Sequence, residues 1–150
     1  MRRSANQEAI GLLAKGVNLL QTLPNTPARA QLEVTLQILF GGSLIATKGF
    51  AAAEVESAYG RARELCQQIG ETPQLFPALR GLWQFCLLRG ELHTARKLAE
   101  QLLGLAQSVQ DPDLLLIAHD AMGEGLFWSG EFAHAREYLE QGLTFYNSQR

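Results

Sequence analysis

Three histidines and two cysteines carry the widest chemical repertoire in this chain: His93, His119, His134, Cys66 and Cys86. A structural zinc site needs N and S ligands gathered at short spacings, and the two cysteines form no C-x-x-C or related pattern. His93 and His134 fall in corresponding stretches but one step out of register, so they need not face each other. His119 falls at a position between helices, where a hydrogen-bonded structural histidine is expected. Cys66 and Cys86 read as buried free thiols in a reducing cytosol. A disulfide between them requires neighbouring helices, which spacing alone does not establish.

The remaining chemistry is equally sparse. No GxxxxGK[ST] loop is present to cradle a nucleotide phosphate, and neither HExxH nor GxSxG occurs. No paired-carboxylate motif stands out. The expectation is a non-enzymatic chain without a cofactor or a bound metal. Glu54, Glu56, Arg61, Arg63 and Glu64 read as a solvated helix face with i,i+3 and i,i+4 pairs. Arg96–Glu100 and Arg136–Glu140 repeat one such surface pair, each worth only tenths of a kcal/mol, roughly 0.2–0.5.

The elements that position these groups are marked by a repeat. Gly90–Ser108 reads GELHTARKLAEQLLGLAQS, and forty positions later Gly130–Ser148 reads GEFAHAREYLEQGLTFYNS. Gly90/Gly130, Glu91/Glu131, Ala95/Ala135, Arg96/Arg136, Glu100/Glu140, Gln101/Gln141, Leu103/Leu143 and Ser108/Ser148 are identical. Self-similarity at a fixed period in this range is the mark of a repeat array. The hydrophobic share of 47% over 150 residues suits one folded domain, residues 1–150. A net charge of −2 gives no global pull toward nucleic acid or anionic membrane. No apolar run follows Arg2 and Arg3 as in a signal peptide, and none approaches a membrane span, so a cytoplasmic location is expected.

Seven helices are expected. The first spans about Ala5 to Leu23, with Ile10, Leu13, Val17 and Leu20 at helical spacing and Pro24 ending it. The second runs from Thr26-Pro27 to about Lys48, and the third from Ala52 to Ile69, with Gly70 as a left-handed C-terminal residue. Thr72-Pro73 opens the fourth, which ends near Arg89. The fifth spans Glu91–Val109, the sixth runs from Asp111-Pro112 to Ser129, and the seventh runs from Glu131 to Tyr146. Thr26-Pro27, Thr72-Pro73 and Asp111-Pro112 share the order of cap followed by proline. Gly49, Gly90 and Gly130 close the helices they open. No segment alternates as a strand does, so the fold class is all-α.

These hairpins resemble tetratricopeptide repeats, in which small and large residues alternate at fixed places. The Gly90 unit offers Leu79, Leu82, Trp83 and Cys86, then Leu92, Ala95, Ala99 and Leu102. The Gly130 unit offers His119, Met122, Gly123 and Leu126, then Phe132, Ala135, Leu139 and Gly142. The Gly49 unit offers Ile38, Gly41, Gly42 and Ile45, then Val55, Ala58, Ala62 and Leu65. Ala58, Ala95 and Ala135 are small so that paired helices approach, and Gly42, Gly123 and Gly142 mark expected close crossings. The period of about 40 exceeds the usual 34, so the pattern is TPR-like rather than strict, with HEAT-type arrays as the lesser alternative. EAIGLLAKGVNLL aligns with HAREYLEQGLTFY, which makes the first helix the second half of a hairpin. The expected architecture is a TPR-like α-solenoid, half a hairpin plus three hairpins, as a piece of a larger protein.

Nearly the whole chain also resembles the C-terminal helical region of large bacterial signalling proteins. The runs EAIGLLAKGVNLLQTLPNTPARAQLE and LIATKGFAAAEVESAYGRARELCQQIGETPQLFPALRGLW carry that likeness. In that group a nucleotide cyclase or kinase-like domain precedes an ATPase and then a TPR-like tail. The resemblance implies a regulatory or scaffolding module that binds a protein or peptide, with catalysis elsewhere. It also implies a concave groove lined by the first helix of each hairpin. The matching positions here are Leu36, Leu39 and Ser43; Arg80, Gln84 and Leu87; and Asp120, Glu124, Phe127 and Trp128. Asp120 and Glu124, one turn apart, would favour a basic partner, and Arg80 and Trp128 are candidate hot spots. Exposed terminal helices, with Leu143, Phe145 and Tyr146 at the end, suggest pairing with another copy. The alternative function is a small-molecule sensor regulating an attached ATPase, which a deep apolar pocket near Trp83, Phe85 or Trp128 would favour.

Overall fold

The computed structural model describes residues 2–70 and 72–147. Among these residues every regular element is helical: α1 (Arg2–Leu20), α2 (Pro27–Lys48), α3 (Ala53–Ile69), α4 (Leu75–Leu88), α5 (Leu92–Val109), α6 (Pro112–Trp128) and α7 (Phe132–Asn147). The chain divides into two compact units, residues 1–88 and 89–150. In the first unit α1 packs on α2, α2 on α3 and α3 on α4. In the second, α5 packs on α6 and α6 on α7.

Two of the three expected cap–proline starts act as such. The Thr26 hydroxyl accepts from Arg29 N–H at 3.2 Å ahead of Pro27, and the Asp111 carboxylate accepts from Asp113 and Leu114 N–H at 2.9 and 3.3 Å ahead of Pro112. Each cap satisfies amides that no earlier turn can reach. Thr72-Pro73 departs from the expectation. The Thr72 hydroxyl is engaged by the Gln74 side chain, Leu75 N–H closes a three-residue turn on the Thr72 carbonyl, and α4 begins only at Leu75.

The helix ends show two further differences. Residues 21–23 wind in i→i+3 turns ahead of Pro24, so α1 ends at Leu20 rather than Leu23. Gly49, Gly70, Gly90 and Gly130 all take positive φ. Gly70, at φ 104° and ψ −159°, lies in the mirror-extended region open only to glycine and not in the left-handed helical well.

In the first unit Val34, Leu65 and Cys66 form a buried cluster, with Ala30, Ile38, Ile69 and Leu75 packed against it. A side chain such as Val34 or Leu65 stabilises by about 1.5–3 kcal/mol when buried. Tyr59 of α3 lies between two glycines. A Cβ placed on Gly41 of α2 would stand 2.7 Å from its ring, and one on Gly81 of α4 would stand 2.6 Å away. Gly42, expected at a close crossing, is exposed with open space beside it; the helical period turns Gly41 inward instead.

In the second unit Ala95, Ala99, Leu102, Ala118, Met122 and Ala135 are buried. Gly123 and Gly142 do mark close approaches. A Cβ on Gly123 would meet Leu139 Cγ at 2.5 Å, and one on Gly142 would meet His119 Cβ at 3.2 Å. Phe132, expected between helices, is instead 63% exposed at the start of α7.

Candidate functional site

The groove residues inherited from the resemblance fall into separate sets, one in each unit. In the first unit Leu39 is exposed, while Leu36 and Ser43 are half-buried. Leu36 leans toward α1, its Cδ1 3.4 Å from where a Gly16 Cβ would be. Arg80 donates to Gln84 Oε1 at 2.8 Å and stacks its guanidinium 4.5 Å above the Trp83 ring. Both contacts hold the cation against its own helix. Leu87 is buried, 7% exposed, and offers little surface to a partner.

The second unit brings its set together. Asp120, Glu124 and Phe127 recur at i, i+4 and i+7 and so share one face of α6, with Trp128 at its shoulder. Gly130 then turns the chain into α7 and sets Phe132 against Phe127. The Phe127 ring meets Trp128 at 5.5 Å and 84°, and meets Phe132 at 5.4 Å and 66°. These edge-to-face contacts each contribute roughly 0.5–1.5 kcal/mol, so the rings are pre-arranged although all three are at least half exposed.

Electrostatics sharpen the picture. Two arginines of the second unit are ion-paired: Arg96 with Glu131 at 3.0 Å and Glu100 at 3.5 Å, and Arg136 with Glu140 at 2.6 Å. Glu140 holds the Arg136 guanidinium above its ordinary range by hydrogen bonding and charge. Asp120 and Glu124 have no ion-pair or hydrogen-bond partner among the described residues. The face therefore presents an exposed Asp120 and a half-buried Glu124 followed by a ring cluster. Phe132 is the member that sequence reasoning placed elsewhere. Its signal was position, four residues past Trp128 across a turn glycine.

His119 and the two cysteines lie inside the fold, whereas His93 and His134 are exposed. His119 is buried, donates from Nδ1 to the Leu115 carbonyl at 2.8 Å, and lies beside the rings of Tyr138 and Phe145. Among the described residues no three His, Cys, Asp or Glu side chains gather as metal ligands. Cys66 and Cys86 are buried and not bridged in a disulfide, and burial pushes the Cys66 thiol up, away from reactive thiolate. Arg61 is not on a purely solvated face. Its Nε donates to Glu33 Oε1 at 2.9 Å and its other nitrogen reaches Oε2 at 3.5 Å, against a carboxylate only 3% exposed.

A shallow hollow of about 240 Å³ lies at the start of α2, lined by Asn25, Thr26, Pro27, Ala30, Gln68 and Ile69. It is open and holds none of the expected site residues. No described helix is long and apolar enough to cross a membrane. Comparison with family models, curated proteins and solved structures gives no match to this chain.

Proposed function

We propose that the chain is a non-catalytic, TPR-like interaction module that binds protein segments. The observation that carries this reading is the exposed Phe127–Trp128–Phe132 cluster on the helix face that also carries the exposed Asp120 and the half-buried Glu124. The chemistry suits a peptide with an apolar anchor one or two turns from basic residues. The rings supply rigid contact area at low entropic cost, and the carboxylates supply orientation. The resemblance of the sequence to tails of bacterial signalling proteins supports a regulatory or scaffolding role beside an ATPase or cyclase in the cytoplasm.

The test is selection from a random peptide library on the 150-residue chain. Enriched peptides should carry Lys or Arg near an aromatic or leucine anchor. Trp128→Ala should weaken them at least tenfold, and Asp120→Lys with Glu124→Lys should abolish the basic preference. Peptides that bind the triple variant as well as the parent would sink the reading. A second reading, a small-molecule sensor, is supported by the buried indole N–H of Trp83, which has no hydrogen-bond partner among the described residues. A metabolite-dependent change in Trp83 fluorescence with unchanged peptide binding would favour it.

A further inference from the structure

Helix α1 packs on α2 through one side, where Leu13 and Val17 are half-buried and Leu20 is buried. Its outer side carries Ala5, Glu8, Leu12, Lys15 and Leu19, all exposed, at alternating steps of three and four. That is the seam spacing of two paired helices. Leu12 and Leu19, 69% and 67% exposed, are the two most exposed large apolar side chains among the described residues. Two charges stand between them and beside them. No opposite charge lies three or four residues from Glu8 or from Lys15, and about 10.5 Å of helix separates the two. Neither has an ion-pair or hydrogen-bond partner among the described residues.

This order of charges complements itself in one orientation. Glu8 lies four residues before Leu12, and Lys15 lies three after it. A second α1 turned end for end, with Leu12 level with Leu12, brings each Glu8 within about 1.5 Å along the axis of the other copy's Lys15. The same rotation sets Leu19 opposite Ala5, a large side chain against a small one. A parallel pair would set Glu8 on Glu8 and Lys15 on Lys15, where like charges repel. Because α1 is already folded on α2, pairing carries no cost of helix nucleation.

We propose that the outer face of α1 binds a second copy of this chain as an antiparallel α1–α1 pair. The two-fold axis passes beside Leu12, so the Glu8–Lys15 ion pair forms twice. The seam uses none of Asp120, Glu124, Phe127 or Trp128, so it is independent of the peptide reading. Five side chains per copy place the contact at the small end of interface sizes, below about 1,200 Å², with a Kd of about 10–100 µM.

Sedimentation of the 150-residue chain across that range should show a monomer–dimer equilibrium. Leu12→Glu should weaken it at least tenfold with helix content unchanged, while Leu143→Glu and Trp128→Ala should leave it intact. Glu8→Lys should weaken it roughly threefold or more, and adding Lys15→Glu should restore it, since the exchanged charges are again opposite. Oxidation reads the orientation, because the native cysteines are buried. Ala5→Cys with Leu19→Cys should give a covalent dimer efficiently, and Ala5→Cys alone poorly. A monomer throughout, association that survives Leu12→Glu, a charge exchange no stronger than Glu8→Lys alone, or efficient crosslinking by Ala5→Cys alone would each overturn the proposal.

Discussion

Tyr59 shows how one side chain can join three helices. Its ring fills the space that Gly41 and Gly81 leave by lacking a Cβ, so α2, α3 and α4 meet at a single buried side chain. Glycine inside a helix costs about 1 kcal/mol relative to alanine, and at these two positions the ring contact offsets it. Gly42, one residue away, has no such contact. The neighbours should therefore respond oppositely to alanine. Gly42→Ala should stabilise by about 0.5–1 kcal/mol through helix propensity and the unfolded chain. Gly41→Ala should destabilise by about 1–3 kcal/mol, because the ring cannot retreat from a Cβ without disturbing Gly81. Urea midpoints at constant m-value measure both, and equal shifts of the same sign would contradict this account. The sequence reading put the close crossing of α2 at Gly42, and the structure puts it at the adjacent Gly41. A single helical step of about 100° decides that, and only the partner ring reveals it.

Between elements, the Glu33–Arg61 pair ties α2 to α3. Glu33 is almost fully buried, and Arg61, 39% exposed at its side chain, supplies both of its hydrogen bonds. Hydrogen bonding to Glu33 is the largest cause raising Arg61 above its ordinary range. Arg61→Ala would strand a buried carboxylate and should cost about 2–4 kcal/mol, below the full value for a wholly buried pair because water reaches the guanidinium. Replacing both by leucine should recover most of that loss, which a thermal-unfolding cycle of the two single variants and the double variant would show. A double variant no better than Arg61→Ala would mean the pair is held for some other reason.

Helices such as α2 and α6 were legible because their information is local: an apolar period, Thr26-Pro27 or Asp111-Pro112 at the start, and glycine after α2. The ion pair was not, because its partners stand 28 residues apart and the local pattern around Arg61 offers Glu64 instead. The end of α5 at Val109 was placed from the sequence although no glycine follows it. Gln110 sits in the left-handed region at φ 58°, where glycine is favoured, and its side chain donates to the Gln107 carbonyl at 2.6 Å. In the candidate site, Asp120, Glu124, Phe127 and Trp128 were legible as one α6 face. Phe132 was not, because a repeat register reports equivalence and not exposure.

Across the whole molecule, the two units differ in what titrates inside them. Both cysteines and Tyr59 belong to residues 1–88, and the second unit contains no cysteine. Burial pushes the Cys66 thiol above its ordinary 9.0 and the Tyr59 phenol above its ordinary 10.0. In the unfolded chain the thiol ionises as pH passes about 9 while folded Cys66 keeps its proton. The unfolded state then binds fewer protons than the native one, and stability falls as pH rises. This contribution is fully present below pH 9 and is lost as pH climbs through the folded value, with Tyr59 adding to the slope above pH 10. Each unit holds one tryptophan, Trp83 in the first and Trp128 in the second, so a Trp128→Phe chain reports on the first unit by fluorescence. Its urea midpoint should be level from pH 7 to about 8.5 and decline from pH 9 upward. Adding Cys66→Ala should lower the midpoint at pH 7, since it removes a buried sulfur, yet flatten the decline between pH 9 and 10. An unchanged slope would assign the alkaline sensitivity to another group, while a flattened one would locate it at the Val34–Leu65–Cys66 core where α2 meets α3.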